Sequence, residues 1–326
     1  MHYCVIGATS WGLTLGNLLA SNDSKVTVLT RTDEEALTIN YNRGLERFPE
    51  LVLSSLVTAV SSDFLPADLD GLIVAIPAQN FRVAVTDKRL PRNISILSAT
   101  KGIESGTLFL MNEILEDAGW EAEQISVISG PNFAREIVKK LPALAVVASN
   151  SNEESIFWQK SLSTEYFRVY TSSDVIGVGI AGALKNVIAI AAGTVIGMGF
   201  GNNTCSALLT RGLAEITRLG KSLGASSETF LGLAGVGDLA ASCFSPLSRN
   251  FQLGQKIAEG RNPSDVIKEL GEVVEGYTTT AVALELAKKQ KVDMPVTAGV
   301  LAVLEGVIGP GEAVQLLLNR DLKSED

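Results

Sequence analysis

Short β-branched runs that alternate with helical stretches through the first half of this chain constrain its fold more than any other feature. Residues 2–6, 25–29, 71–76, 94–98 and 125–129 are such runs. Strands separated by helices pair in parallel through crossovers that cover both faces of the sheet, so each strand is apolar throughout rather than alternating. The pattern predicts an α/β fold whose N-terminal part is a doubly wound, Rossmann-type parallel sheet. Residues 144–148 and 167–170 read as further strands, with helical room in the polar stretch 152–164 between them.

From about Ile180 the character changes. Ala, Leu, Gly and Glu dominate and no run alternates convincingly, which predicts an all-helical C-terminal domain. Asn262-Pro263 reads as an N-cap followed by proline at the first helical position, and Pro295 and Pro310 mark later breaks. The expected division is a dinucleotide-binding domain over 1–178 and a helical substrate-binding and catalytic domain over 179–326. The join falls within 172–179, and no Pro/Ser-rich linker separates the two, so a tight interface is expected.

Composition narrows the function classes. The 326 residues are 46% hydrophobic and 19% charged, enough for a substantial core, and the net charge of -9 argues against surfaces built for nucleic acid or anionic lipid. Cys4, Cys205 and Cys243 lie far apart without a CxxC pair, so neither a disulfide framework nor a metal site is expected, and a cytoplasmic protein is. No export signal and no membrane span are read. The apolar helical half would also suit a homodimer interface, which periodicity does not separate from internal core.

The chemistry-bearing residues follow the same layout. Gly7 ends the first strand and Gly12 opens a helix, so the loop between them can aim N–H groups at a pyrophosphate; an ordinary strand-to-helix turn is the plainer alternative. Thr9 occupies the middle glycine position of G-x-G-x-x-G, where its Cβ is expected to obstruct close approach of the phosphates. Arg31 follows the second strand, where a binder of NAD more often places an acid toward the ribose. A guanidinium suits a 2′-phosphate, so NADP(H) is the expected cofactor, with NAD(H) open as a second; a solvated cation near Asp33 and Glu34 is the alternative.

The acid/base group is narrowed by elimination. His2 is the only histidine and stands at the very start of the first strand, and no tyrosine has a lysine four residues later. Lys185 lies in an otherwise apolar helix, and a buried amine needs a partner or a cavity. It becomes the leading acid/base candidate.

Taken with Ile76-Pro77-Ala78, Thr100-Lys101-Gly102, Gly130-Pro131-Asn132-Phe133-Ala134, Thr210 to Glu215, Gly235 to Asp238, Ser248-Arg249-Asn250 and Val273-Val274-Glu275-Gly276-Tyr277, these residues resemble the bacterial NAD(P)-dependent glycerol-3-phosphate dehydrogenase family over nearly the whole chain. The resemblance implies reversible reduction of dihydroxyacetone phosphate at C2 to sn-glycerol 3-phosphate, a phospholipid precursor. It implies that Lys185 is the acid/base, with Asp238 holding and orienting the amine. Lys101 would lie between cofactor and substrate, and Gly130 and Asn132 beside the substrate. Ser248, Arg249 and Asn250 would clamp the substrate phosphate, although a serine-capped helix start reads equally from the residues alone. Gly7, Ser10, Trp11, Gly12, Arg31, Lys101 and Ala134 match cofactor contacts, and Arg249, Val273 and Glu275 would reach the cofactor from the second domain.

Thr9 departs from that pattern, and so does Cys205, where the family leads one to expect lysine. Two other readings compete. A reductase of another small carbonyl compound would not require Arg249, and a non-catalytic NADP-binding sensor would need none of Lys185, Asp238 and Arg249.

Overall fold

The protein is described from a computed structural model, which covers residues 1–321 and 324; the last residues of the expected second domain lie outside the described ones. Eight strands form one sheet: β1 (His2–Ile6), β2 (Lys25–Thr30), β3 (Val57–Ser61), β4 (Gly71–Val74), β5 (Ser95–Ser98), β6 (Ile125–Ser129), β7 (Ala143–Ser149) and β8 (Phe167–Ser172). Their order is β3-β2-β1-β4-β5-β6-β7-β8. β1 pairs in parallel with β2 on one side and with β4 on the other, which places a topological switch point at its C-terminal end.

Successive residues of the strands enter different cores. Tyr3, Val5, Ile73 and Leu97 pack on one face, against α1 (Ser10–Ser21), α2 (Asp33–Asn42) and α6 (Asn152–Leu162). Cys4, Ile6, Leu72, Val74 and Ile96 pack on the other, with α3 (Phe81–Val85) and α4 (Met111–Asp117). Both faces are covered, which is why these strands read as unbroken apolar runs.

Two departures from the sequence expectation stand out. β7 runs antiparallel to β6, because the connection contains only the one-turn α5 (Ala134–Ile137), too little helix for a parallel crossover. β3 is absent from the strands the sequence predicts: it is an edge strand buried on alternate residues, so its short Val-Thr-Ala-Val-Ser run lacks the apolar continuity of the others.

The rest of the chain is helical: α7 (Val175–Gly197), α8 (Asn202–Ser222), α9 (Ser227–Leu231), a π-helical turn (Leu233–Gly237), α10 (Asp238–Phe244), α11 (Arg249–Ala258), α12 (Pro263–Leu270), α13 (Glu275–Gln290), α14 (Pro295–Leu304) and α15 (Pro310–Leu318). Asn262 caps α12 with Pro263 at its first position, and the two later prolines begin α14 and α15. Glu215, buried on α8, accepts hydrogen bonds from the Val296 and Thr297 N–H groups and so caps α14. The expected join at 178/179 falls in the first turn of α7.

α7 is the axis of this half. It is long and apolar enough to cross a membrane, but 89% of its most apolar window is buried inside the protein, where the other helices pack around it. α11 crosses it at backbone contact: a Cβ on Gly193 would lie 2.0 Å from the Phe251 carbonyl oxygen, and one on Gly254 would lie 2.0 Å from that of Ile190. Neither backbone can retreat without separating the helices.

Gly254→Ala should therefore lower stability by about 1–3 kcal/mol or more. Gly299→Ala is the contrasting case: its nearest neighbour would be the Ala313 Cβ at 4.0 Å, and helix propensity should raise stability by up to about 1 kcal/mol. Urea unfolding of the two variants checks both signs.

Candidate active site

Asp238 is the centre of the site. The π-helical turn delivers it to the first position of α10, at 1% exposure, and four groups from three other elements converge on its carboxylate. Lys101 Nζ donates to Oδ2 at 2.8 Å, Ser129 Oγ at 3.1 Å and the Gly130 N–H at 3.3 Å. Lys185, in the middle of α7, donates to Oδ1, and its ammonium also donates to Ser242 Oγ at 2.8 Å. Lys101 Nζ reaches Asn132 Oδ1 (3.2 Å) and the Gly130 carbonyl oxygen (3.4 Å) as well. One carboxylate thus ties the ends of β5 and β6 to α7 and α10.

The electrostatics follow from burial and from this two-to-one ratio of cations to anion. Burial pushes the Lys185 ammonium down to about 8; Asp238 opposes that shift and the like charge of Lys101 reinforces it. Burial also works against ionisation of Asp238, but the two ammonium groups outweigh it and hold the carboxyl below its ordinary range. Lys185 is consequently a cation that gives up a proton near neutral pH, beside a carboxylate that stays charged.

Asn132 adds a directed donor. Its Oδ1 faces Lys101, while its Nδ2 is buried without a hydrogen-bond partner. An unpartnered buried amide costs free energy unless a ligand accepts from it.

The nucleotide side is built at the switch point. Gly7 has φ of +114°, and a Cβ there would lie 2.4 Å from Ile76 Cγ2; a Cβ on Gly12 would lie 2.2 Å from the Gly7 carbonyl oxygen. Thr9, at the position where glycine was expected, has a structural part of its own. Its hydroxyl is turned into the protein, donating to the Ala75 carbonyl oxygen (2.8 Å) and accepting from the Gly12 N–H (3.0 Å), so it caps α1. Ser10 and Trp11 open the helix, with first-turn N–H groups that lack intrahelical partners. This cradle fits a dinucleotide pyrophosphate.

Arg31 follows β2 with its side chain 90% exposed, paired with Glu35 at 3.5 Å rather than with Asp33 or Glu34. Ala134 begins α5, which packs beside α1. Glu275 crosses the crevice: its Oε1 accepts from the Ala78 N–H after β4 at 3.2 Å, and burial raises its pKa against the opposing effects of that bond and of Arg249.

Each residue of the expected Ser-Arg-Asn clamp also has a partner within the protein. Ser248 caps α11 through the Phe251 N–H at 3.3 Å, as in the plainer reading. Asn250 is 8% exposed; it donates to Asn186 Oδ1 and accepts from the Gly276 N–H, both at 2.9 Å, and so joins α7, α11 and α13. Arg249 remains accessible, with its Nη1 on the Val273 carbonyl oxygen and on Glu272, each at 2.9 Å. Cys205 is buried at 5% exposure.

Sequence reasoning missed Ser242 and the part Ser129 plays. Ser242 stands four residues after Asp238 on one helix, a spacing that puts both on one face and was available as a signal.

Two family models match this chain: the N-terminus of NAD-dependent glycerol-3-phosphate dehydrogenase over residues 2–155, and its C-terminus over residues 174–315. A glycerol-3-phosphate dehydrogenase [NAD(P)+] of Leptospira biflexa is 41% identical, over 100% of this chain and 99% of that protein. One from Dehalococcoides mccartyi strain BAV1 is 39% identical, over 99% of this chain and 92% of its own length. The crystal structure of glycerol-3-phosphate dehydrogenase from Coxiella burnetii superposes with a TM-score of 0.90 at 32% identity, covering 98% of this chain and 99% of that one. With both halves matched in sequence and the whole architecture matched in three dimensions, the chain belongs to the NAD-dependent glycerol-3-phosphate dehydrogenase family.

Proposed function

We propose that this protein catalyses the reversible NAD(P)H-dependent reduction of dihydroxyacetone phosphate to sn-glycerol 3-phosphate, supplying phospholipid precursor in the cytoplasm. The observation that carries this reading is the buried Lys185–Asp238–Lys101 cluster at the ends of the central strands. We assign cofactor binding to 1–178 and substrate binding with catalysis to 179–326, although Lys101, Gly130 and Asn132 reach the substrate from the first part.

A bound nicotinamide would supply the hydride in reduction and accept it in oxidation. Gly7, Ser10, Trp11, Gly12 and Ala134 would hold the dinucleotide, Arg31 would meet a 2′-phosphate, and Lys101, Arg249, Val273 and Glu275 would close on it. NADP(H) is the favoured form, with NAD(H) also used.

In the reducing direction, oxygen at C2 of the substrate gains negative charge and needs a proton. Lys185 gives the proton from Nζ, and Asp238 fixes where that nitrogen points. Lys101 contributes a second positive charge in a water-poor site, which favours the charge developing on oxygen. Asn132 Nδ2 is a free donor for a substrate oxygen, and Arg249 is an accessible guanidinium that forks onto the phosphate. In the oxidising direction Lys185, once neutral, accepts the hydroxyl proton.

The reading is tested by the fall in reduced-nicotinamide absorbance with NADPH and with NADH, using dihydroxyacetone phosphate and dihydroxyacetone. Oxidation that requires the phosphate and favours NADPH is expected; equal rates with the unphosphorylated compound would overturn the substrate assignment.

Lys185→Ala should cut turnover by about 10²–10⁴ while leaving NADPH affinity nearly unchanged. The variant should fold, because Lys101 still neutralises Asp238. Turnover at the wild-type level would remove Lys185 from proton transfer.

The direction of the Lys185 shift sets the pH dependence. The acid form is lost as pH rises through about 8, so kcat/KM for reduction should fall there while that for oxidation rises. Asp238→Asn removes the charge that favours the ammonium form, and the alkaline limb should move to lower pH. A pH profile of the wild type and of this variant measures both effects.

A further inference from the structure

Glu272, absent from the chemistry above, sits between two arginines from opposite halves of the chain. Its Oε2 pairs with Arg249 Nη1 at 2.9 Å and its Oε1 with Arg47 Nε at 3.0 Å, one oxygen to each guanidinium. Arg249 is the proposed phosphate ligand. Arg47 lies in the long connection between α2 and β3, at the turn closed by the Leu45–Phe48 bridge.

That turn is anchored on its own side. Phe48 is 1% exposed, the Arg135 guanidinium lies 5.4 Å from its ring centre, and Arg135 also binds Glu50 (2.7 Å) and the Arg47 carbonyl oxygen (3.3 Å). Arg135 belongs to α5, immediately after the Pro131-Asn132-Phe133 segment of the site. Glu272 itself follows Gly271, the left-handed C-cap of α12 with φ of +64°, on the irregular stretch that leads to Glu275. Two ionic groups, Arg135–Glu50 and Arg47–Glu272–Arg249, joined by the hydrogen bond from Arg135 to the Arg47 carbonyl oxygen, therefore span the mouth between the two halves.

We propose that Glu272 is a positioning residue that competes internally with the substrate phosphate for Arg249 and, through Arg47, ties the 43–56 loop to occupation of the phosphate site. This rests on the reading of Arg249 as the phosphate ligand. A phosphate that takes Arg249 Nη1 competes with the Glu272 carboxylate for the donors of that nitrogen, and the phosphate carries the larger charge. Released from Arg249, Glu272 no longer holds Arg47 in one place, and the loop is freed as the ligand binds. The three groups carry one net positive charge, which keeps the mouth attractive to an anion while limiting how tightly it is held.

Glu272→Gln keeps the size of the side chain and removes the competition. The Michaelis constant for dihydroxyacetone phosphate should fall about two- to fivefold, the range expected of an exposed ion pair, with no rise in kcat. Hydrogen exchange of the 43–56 amides should be faster in the ligand-free variant, and faster in the wild type once sn-glycerol 3-phosphate is added. Arg47→Gln separates the two parts: it should loosen the loop without lowering the Michaelis constant. An unchanged or raised Michaelis constant in Glu272→Gln would overturn the competition, and unchanged loop exchange would overturn the tie. Because the exchange measurement on the free protein needs no turnover, loosening of the loop in a protein inactive toward dihydroxyacetone phosphate would sink the substrate reading and leave the ionic tie standing.

Discussion

The carboxylate of Asp238, buried between two ammonium groups, is the interaction on which the site depends. A buried charge without a partner destabilises a fold by several kcal/mol, so Asp238, Lys101 and Lys185 have to meet. They come from α10, from the end of β5 and from the middle of α7, and their meeting fixes the sheet against the helices that follow it. The same contact that joins the two halves places a buried titratable amine between them.

The surrounding backbone is shaped to allow that contact. A π-helical turn before α10 is a departure from regular hydrogen bonding, and it sets Asp238 at a helix start where its side chain points into the site. Close crossing of α11 over α7 at Gly193 and Gly254 brings Asn250 within reach of Asn186, the residue after Lys185. The asparagine pair and the Gly276 N–H lock that stretch of α7 to α13, and α13 begins at Glu275, whose carboxylate returns to the loop after β4. Apolar packing around α7 excludes water from the amine, and this burial is the largest cause of its lowered pKa.

Much of this was legible in the sequence because it is local. Unbroken apolar strands, the Asn262-Pro263 start and the lysine in an apolar helix each have a physical reading from neighbouring residues alone. The edge strand β3 and the antiparallel β7 were not legible in the same way, since one is half exposed and the other depends on how little helix precedes it. The Ser-Arg-Asn triplet shows the limit most clearly. Three adjacent polar residues read as one clamp, and the partners that the fold also gives each of them are not visible from their spacing: Ser248 caps the helix, Asn250 joins Asn186 and Arg249 pairs with Glu272. The function of Thr9 was hidden for a related reason. Its size was visible in the sequence, but its rotamer, which sends the hydroxyl to Ala75, depends on a strand more than sixty residues away.

The charge balance of the cluster explains why two lysines serve better than one. A single lysine paired with Asp238 would form a neutral couple, and the carboxylate would hold the proton on the amine, raising its pKa and weakening it as an acid. Burial outweighs this, and Lys101 adds to burial: it shares the carboxylate, repels the Lys185 ammonium and leaves one positive charge in excess. That excess disfavours the proton on Lys185 in the free enzyme, and it favours negative charge on a nearby substrate oxygen. As the proton leaves Lys185 the cluster becomes neutral, and the oxygen that received it is neutral as well, so no unpaired charge is left in the low-dielectric site. The transfer proceeds between two states that the buried cluster can each support, which is the electrostatic condition for reversible acid/base work at one amine.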